Sequence, residues 1–440
     1  MKLFRILLAG LLLPFAAIPQ QNSFPFSIRL EEVVVENFNG LHSYAWARDG
    51  KRILLAGGRT DGLHRRQPFA AFRPEQNNSL LIVLDLAGQK IYSRPLSGLP
   101  TAIAEQLQST NMQFLQEGNE LFLTGGYGYS ASSGDHITYP FLQIIRVRET
   151  INAIINGEDP VTFINQIRDE RMAVAGGRMA MMEGRIYLVG GHRFDGRYNP
   201  HGPDHGPGFS QQYTNQVRSF GIDRKGAAPY VVNYDAVTDS LLLHRRDFNL
   251  LPYTDALGRN MLTIYSGVFQ YDQDIPYTSL IDIGNGSVRE LAGFEQKFNH
   301  YHTATLTILD VGQKQSFNIF FGGLSLHRVL PDGKIEKDEE VPFVDHISVV
   351  ERAKGKASEY ILPLRMPGLL GTSAEFIPVS GYLYTSNGML KAESIGRKEL
   401  LAGYIIGGIE STAPNVFFSQ GNNLSKASTK IFKVFIALGK

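Results

Sequence analysis

The segments RILLAGG (residues 52–58), ELFLTGG (120–126), RIYLVGG (185–191), NIFFGG (318–323) and YIIGG (404–408) are five apolar strands, each closed by a glycine pair. A weaker sixth copy, LTIYSG, ends at Gly267. A strand with a fixed glycine ending, repeated six times, is the signature of a repeat architecture rather than one large sheet. Around the first copy the chain reads as four short strands. Leu41 to Ala47 is followed by a turn at Arg48-Asp49-Gly50-Lys51 and then Arg52 to Ala56. After a long loop come Ser79 to Asp85 and, through Leu86-Ala87-Gly88-Gln89, Lys90 to Arg94. Four antiparallel strands per repeat define one blade of a β-propeller.

Working outward, the repeats fall at Leu41–Leu99, Asn111–Asn156, Ala175–Asp239, Leu241–Leu291, Tyr301–Pro363 and Thr372–Ile436. The expected fold is therefore all-β: a six-bladed propeller with four antiparallel strands per blade, a single domain over residues 22–440. The excess length sits in the segments after the glycine pairs. These loops open on the same face as the links between blades, and such loops commonly carry binding function. The strand-like ends, 26–35 and 430–436, are expected to share the last blade and leave no free edge.

Residues 1–21 read as a signal peptide, with Lys2 and Arg5 ahead of the apolar run Ile6 to Ile18. Pro14 interrupts a run already short for a membrane span, so none is expected. The implied location is secreted, either periplasmic or at the cell surface. The chain has no cysteine, which excludes disulfides, thiolate metal ligands and a catalytic thiol. Its net charge of +1 favours neither nucleic acid nor an anionic membrane. The 45 glycines suit many tight turns between short strands. The glycine pairs lack the Lys-Ser/Thr of a phosphate loop, and no Gly-x-Ser-x-Gly elbow occurs, so no cofactor is expected.

Within the polar segments, His244-Arg245-Arg246-Asp247-Phe248-Asn249 is placed by register on the innermost strand of the fourth repeat. Arg245 or Arg246 could grip a carboxylate or phosphate with Asp247 orienting it, or the three could form a structural ion pair. Strand alternation sends only one of the two arginines to a given face. The loop with His192, Arg193 and Asp195, continuing to His201, Asp204 and His205, has imidazoles and carboxylates but no metal-ligand spacing, so it reads as a polar loop. Asn299 to Thr303 opens the fifth repeat, as His42 does in the first. His302 there is a candidate general base, with Glu375 on the innermost strand of the sixth repeat as its partner. Tyr127, with other loop tyrosines and arginines, fits a recognition surface.

The pattern resembles the kelch repeat, in which His-Ser opens the first strand and Gly-Gly closes the second. The likeness spans nearly all of the mature chain and is sharpest at His42-Ser43 and Gly57-Gly58. It departs in having its single tryptophan, Trp46, in the first strand rather than the fourth, and in units of about seventy residues against about fifty. The resemblance extends to the central domain of galactose oxidase and to secreted bacterial sialic acid mutarotases. A copper-radical centre of the former type is excluded by the missing cysteine. Two functions are implied. One is a glycan, peptide or protein binder using the long-loop face and channel mouth. The other is a sugar-acid mutarotase in which Arg245 or Arg246 holds the carboxylate while Glu375 or His302 moves protons.

Overall fold

The computed structural model describes residues 24–200, 205–225, 228–284, 286–379, 381–417 and 424–439. The expected signal peptide, and His201 to Asp204 of the polar loop, lie outside them.

The chain is all-β, built mainly from antiparallel four-stranded sheets. Within each sheet the four main strands pair in sequence order, except in the sixth, and the short strand Leu390–Lys391 adds a parallel edge to the fifth. The first is Ala45–Asp49, Arg52–Ala56, Leu80–Asp85 and Lys90–Pro95. The second is Thr110–Glu117, Glu120–Ser130, Phe141–Arg146 and Ile164–Arg168. The third runs Arg178–Met182, Arg185–Val189, Gln216–Asp223 and Tyr230–Thr238, and the fourth Asn249–Thr254, Asn260–Tyr265, Ile281–Gly284 and Ser287–Glu290. The fifth is Thr305–Asp310, Gln315–Leu324, Phe343–Ala353 and Lys356–Arg365. In the sixth, Glu375–Pro378, Leu400–Ile406 and Ile431–Leu438 are completed by Phe26–Val33 from the other end of the chain. Phe26 lies opposite Leu438 and Val33 opposite Ile431, so the two ends share one sheet as expected.

Some boundaries differ from the sequence reading. The second unit continues to Arg168, because residues 147–156 form an amphipathic helix that buries Val147, Ile151 and Ile154 among strands of the first two sheets. The segment Arg245-Arg246-Asp247 leads into the inner strand of the fourth sheet and is not part of it. Likewise His302 precedes its strand, which starts at Thr305.

Apolar residues on both faces of each sheet explain the continuous hydrophobic runs in the sequence. Leu121 and Leu123 pack toward the first sheet, whereas Phe122 between them packs toward the third. Six apolar clusters each join two consecutive sheets, and one of them joins the sixth to the first through Ile377, Ile406, Ile53 and Leu55. Polar ties are fewer. Arg352 of the fifth sheet grips Asp282 of the fourth in a bidentate pair at 3.0 and 2.8 Å, stacked 3.9 Å over Tyr253.

The glycine pairs lie where neighbouring sheets touch. The first glycine of each pair has φ between +54° and +66°. A Cβ there would fall 1.8 Å from the Val174 carbonyl oxygen at Gly125, 2.2 Å from that of Leu370 at Gly322 and 2.1 Å from that of Leu41 at Gly407. In four of the five pairs the second glycine donates its N–H across the same contact: Gly58 to Ser109, Gly126 to Val174, Gly191 to Arg245 and Gly408 to Leu41, all at 2.8–2.9 Å. The weak sixth copy keeps this backbone with Ser266 at φ +63°, whose hydroxyl donates to the Asn299 carbonyl at 3.2 Å.

Beyond these contacts the entry loops meet in a cycle of six backbone hydrogen bonds. Asn111 donates to Ser43, Gly176 to Asn111, Asp247 to Gly176, His302 to Asp247, Ser373 to His302, and Ser43 to Ser373, at 2.7–3.3 Å. One residue comes from the start of each of the six units.

Two predictions test this account of stability. Gly125→Ala should lower stability by at least about 2 kcal/mol in chemical denaturation, from left-handed backbone plus overlap with a fixed carbonyl. Gly118→Ala, also at positive φ but with nothing within 4 Å of the new methyl, should cost only about 1 kcal/mol. Equal costs would refute the close-approach argument. Asp282→Ala should cost about 3–5 kcal/mol by stranding the buried Arg352 guanidinium; a change below about 1 kcal/mol would show that the pair does not tie the sheets.

Candidate functional site

The ring of hydrogen bonds sets the floor of the site, because each inner strand starts from it. Glu375 stands two residues past Ser373, and Arg178 two past Gly176. His302 is itself a ring member. Its Nε2 lies 2.7 Å from Glu375 Oε1, and Arg178 Nη1 donates to the same oxygen at 3.3 Å. Asp247, the ring residue of the fourth sheet, lines the same small cavity with Ser43, Asn111 and Gly176. All six sheets therefore contribute to it. Its volume of about 20 Å³ accommodates roughly one water molecule.

These side chains are deep in the protein yet keep accessible surface: 12% for His302, 13% for Glu375 and 22% for Asp247. Surface retained at such depth faces an internal space. Burial pushes the Glu375 carboxyl above its ordinary range, against a weaker opposing pull from Arg178 and the Trp46 indole N–H. Glu375 thus holds its proton to higher pH than a surface glutamate.

Next to the floor, Arg246 pairs with Asp247 and stacks 5.0 Å from the Phe269 ring. Burial disfavours its charge, but Tyr213, Asp247 and Tyr301 outweigh that and keep the guanidinium protonated. His192 lies within reach of this charge. Burial, reinforced by Arg246, holds its pKa well below the usual value. Its Nδ1 is 2.8 Å from the Gln211 side-chain nitrogen, an acceptor role that neutral imidazole fills. Its ring lies 5.7 Å from Tyr213, which in turn stacks on His244 at 3.8 Å.

Other residues singled out from the sequence are occupied by structural work. Arg245 is buried, with its donors spent on the carbonyls of Leu242, Ser266 and Ser279 and the Ser279 hydroxyl, and its face on Tyr277. The carboxylate-gripping role considered for it is therefore taken by protein acceptors; of the two neighbouring arginines only Arg246 pairs with Asp247, which lines the cavity. His42 is buried beside Ser43 Oγ at 3.0 Å and Asp61 at 3.6 Å, where Asp61 also clamps Arg59. Arg193 pairs with Asp195 at 2.6 Å and Glu170 at 3.0 Å at the surface. The Tyr127 hydroxyl donates to the Gly196 carbonyl at 2.8 Å, and its ring meets Phe72 and Phe194 edge-on. It knits the loops of the first three sheets together, so the aromatic loop face is largely packed against itself. Among the described residues, no three His, Asp or Glu side chains are arranged to hold a metal ion, and no helix is long and apolar enough to cross a membrane.

Arg178 escaped the sequence reading, since an arginine at a strand start looks like any solvated one. Aligning the repeats on the ring residue would have exposed it. The position two residues on is Ala45, Gln113, Arg178, Asn249, Ala304 and Glu375, so charge occurs in only two of six units. No protein-family model matches the chain, and no curated protein shows significant similarity to it.

Burial also makes a pH prediction. The neutral imidazole of His300 is bonded to the Gly322 carbonyl and Ser348, and desolvation depresses its pKa to about 4. The unfolded chain binds this proton near pH 6.5. Stability should be full above pH 6.5 and decline as pH falls toward about 4. His300→Gln should flatten that part of the stability–pH curve; an unchanged slope would contradict the assignment.

Proposed function

We propose that the chain is a secreted, six-bladed kelch-like β-propeller that binds a small polar ligand, a saccharide or peptide fragment, at the mouth of its axial channel. The cycle of six entry-loop hydrogen bonds and the shared terminal sheet support the closed arrangement. The observation that carries the functional reading is the convergence of Arg246, Asp247, Arg178, His302 and Glu375 from four sheets on one axial space. Ligand sites gather where a few convergent polar groups meet inside an otherwise packed scaffold. The loop aromatics pack against one another, which favours a small ligand entering the centre over a broad protein interface.

A second reading, acid–base catalysis on a sugar acid, draws on the 2.7 Å contact of His302 with a carboxyl whose pKa burial raises. In it Arg246 holds the substrate carboxylate and the Glu375–His302 pair moves the proton.

A glycan array and NMR titrations with wild-type protein and the Arg246→Met variant separate these outcomes. Binding should fall at least tenfold in the variant; an empty array with no titrating ligand would overturn the binding proposal. Anomer exchange of N-acetylneuraminic acid tests the second reading. Exchange above the buffer rate should drop about 100-fold in Glu375→Gln and decline as pH rises through the raised Glu375 pKa. A wild-type rate equal to buffer would end that reading alone.

A further inference from the structure

A recess of about 360 Å³ opens far from the axis, between the outer strands of the third and fourth sheets. It exists because the two outer strands of the fourth sheet have only 4 residues each, against 8 and 9 in the third. Part of the third sheet's face is thus left without a strand over it. Pairing puts Tyr187, Ser219 and Asp235 side by side in one cross-strand row on that face. Ile283 and Val288 supply apolar surface opposite.

Arg185 borders the row and is fixed. Its Nη2 donates to the Asn233 carbonyl at 2.6 Å, the Ser219 carbonyl at 3.1 Å and the Ser219 hydroxyl at 2.9 Å. It has no ion-pair partner among the described residues, and its other terminal nitrogen, Nη1, makes no hydrogen bond there. Asp235 accepts the Ala236 N–H with one oxygen at 2.9 Å and leaves the other open. Burial raises the Tyr187 phenol pKa, and Arg185 and Asp235 both lie near enough to act on it. A positioned cation, an open carboxylate and an aromatic ring with an apolar wall therefore share one recess.

We propose that this recess binds an α-amino acid with an apolar side chain. Its carboxylate would sit on Arg185, its ammonium on Asp235, and its side chain between Tyr187 and the Ile283–Val288 wall. The volume lies at the low end for small-molecule sites, which run from about 300 to 1,000 Å³. A purely anionic ligand would meet the Asp235 charge, and a purely cationic one that of Arg185.

Calorimetric titration of the full chain with L-phenylalanine, L-leucine, N-acetyl-L-phenylalanine and L-phenylalaninamide tests this. At least one free amino acid should bind saturably. Both blocked phenylalanine derivatives should bind at least tenfold more weakly than phenylalanine. Asp235→Asn, a change at an exposed side chain, should weaken binding at least tenfold with an unchanged melting temperature. Ser287→Phe, which fills the recess, should abolish it. No saturable binding of either amino acid, equal affinity for free and blocked forms, or wild-type affinity in Asp235→Asn would each overturn the proposal. The axial site is untouched by these variants, so the two proposals fail independently.

Discussion

Close approach between a side-chain-free strand end and the next sheet's backbone is the contact on which the remaining structure depends. At each glycine pair the chain turns through left-handed backbone, and a neighbouring carbonyl oxygen lies 1.8–2.9 Å from where the first glycine's Cβ would stand. The adjacent entry loop can then reach inward far enough to join the six-membered hydrogen-bond cycle. A methyl group at Gly125 would overlap the Val174 carbonyl and push one loop outward, breaking the cycle at Gly176. The constraint is steric and local, yet its consequence is the placement of six distant segments around a common centre.

That placement determines the chemistry. Residues 178, 302 and 375 are far apart in sequence, and only the meeting of inner strands brings their polar groups within a few ångströms. The resulting pairs differ in kind. Arg246–Asp247 is a contact between neighbours in the chain. The Glu375–His302–Arg178 contact joins three sheets and places one carboxyl oxygen against two nitrogens. Because burial dominates the Glu375 environment, its proton balance responds to anything that changes solvation of the axial space.

Much of the fold could be read from the sequence because its steric rule leaves a direct mark: only glycine fits the first position of each pair without compensation. The exception is legible in retrospect, since Ser266 satisfies the opposing carbonyl by hydrogen bond. The pairing of the two ends followed from their strand-like alternation. Strand starts were less legible. The positive-φ ring residues Ser43, Asp247 and Ser373 look like ordinary strand or turn residues, so inner strands were begun too early. In the site, His302 and Glu375 stood out as polar residues at apolar strand starts. Arg245 and Arg246 could not be told apart, because adjacent arginines diverge according to loop geometry that no periodicity describes. The helix at 147–156 was missed for a related reason: an amphipathic segment of one turn-rich length resembles a strand when its neighbours are strands.

The pairing of the first and last strands tests the central claim most directly, and the absence of native cysteine makes the measurement clean. Glu31 and Lys433 are directly opposed across these strands and joined by a 2.9 Å ion pair. A Glu31→Cys/Lys433→Cys variant should form an intramolecular disulfide under mild oxidation, with the melting temperature rising on oxidation and returning on reduction. Failure of the two thiols to bond in the folded monomer, or bonding only between molecules, would contradict a closed cycle of sheets joined through the chain ends.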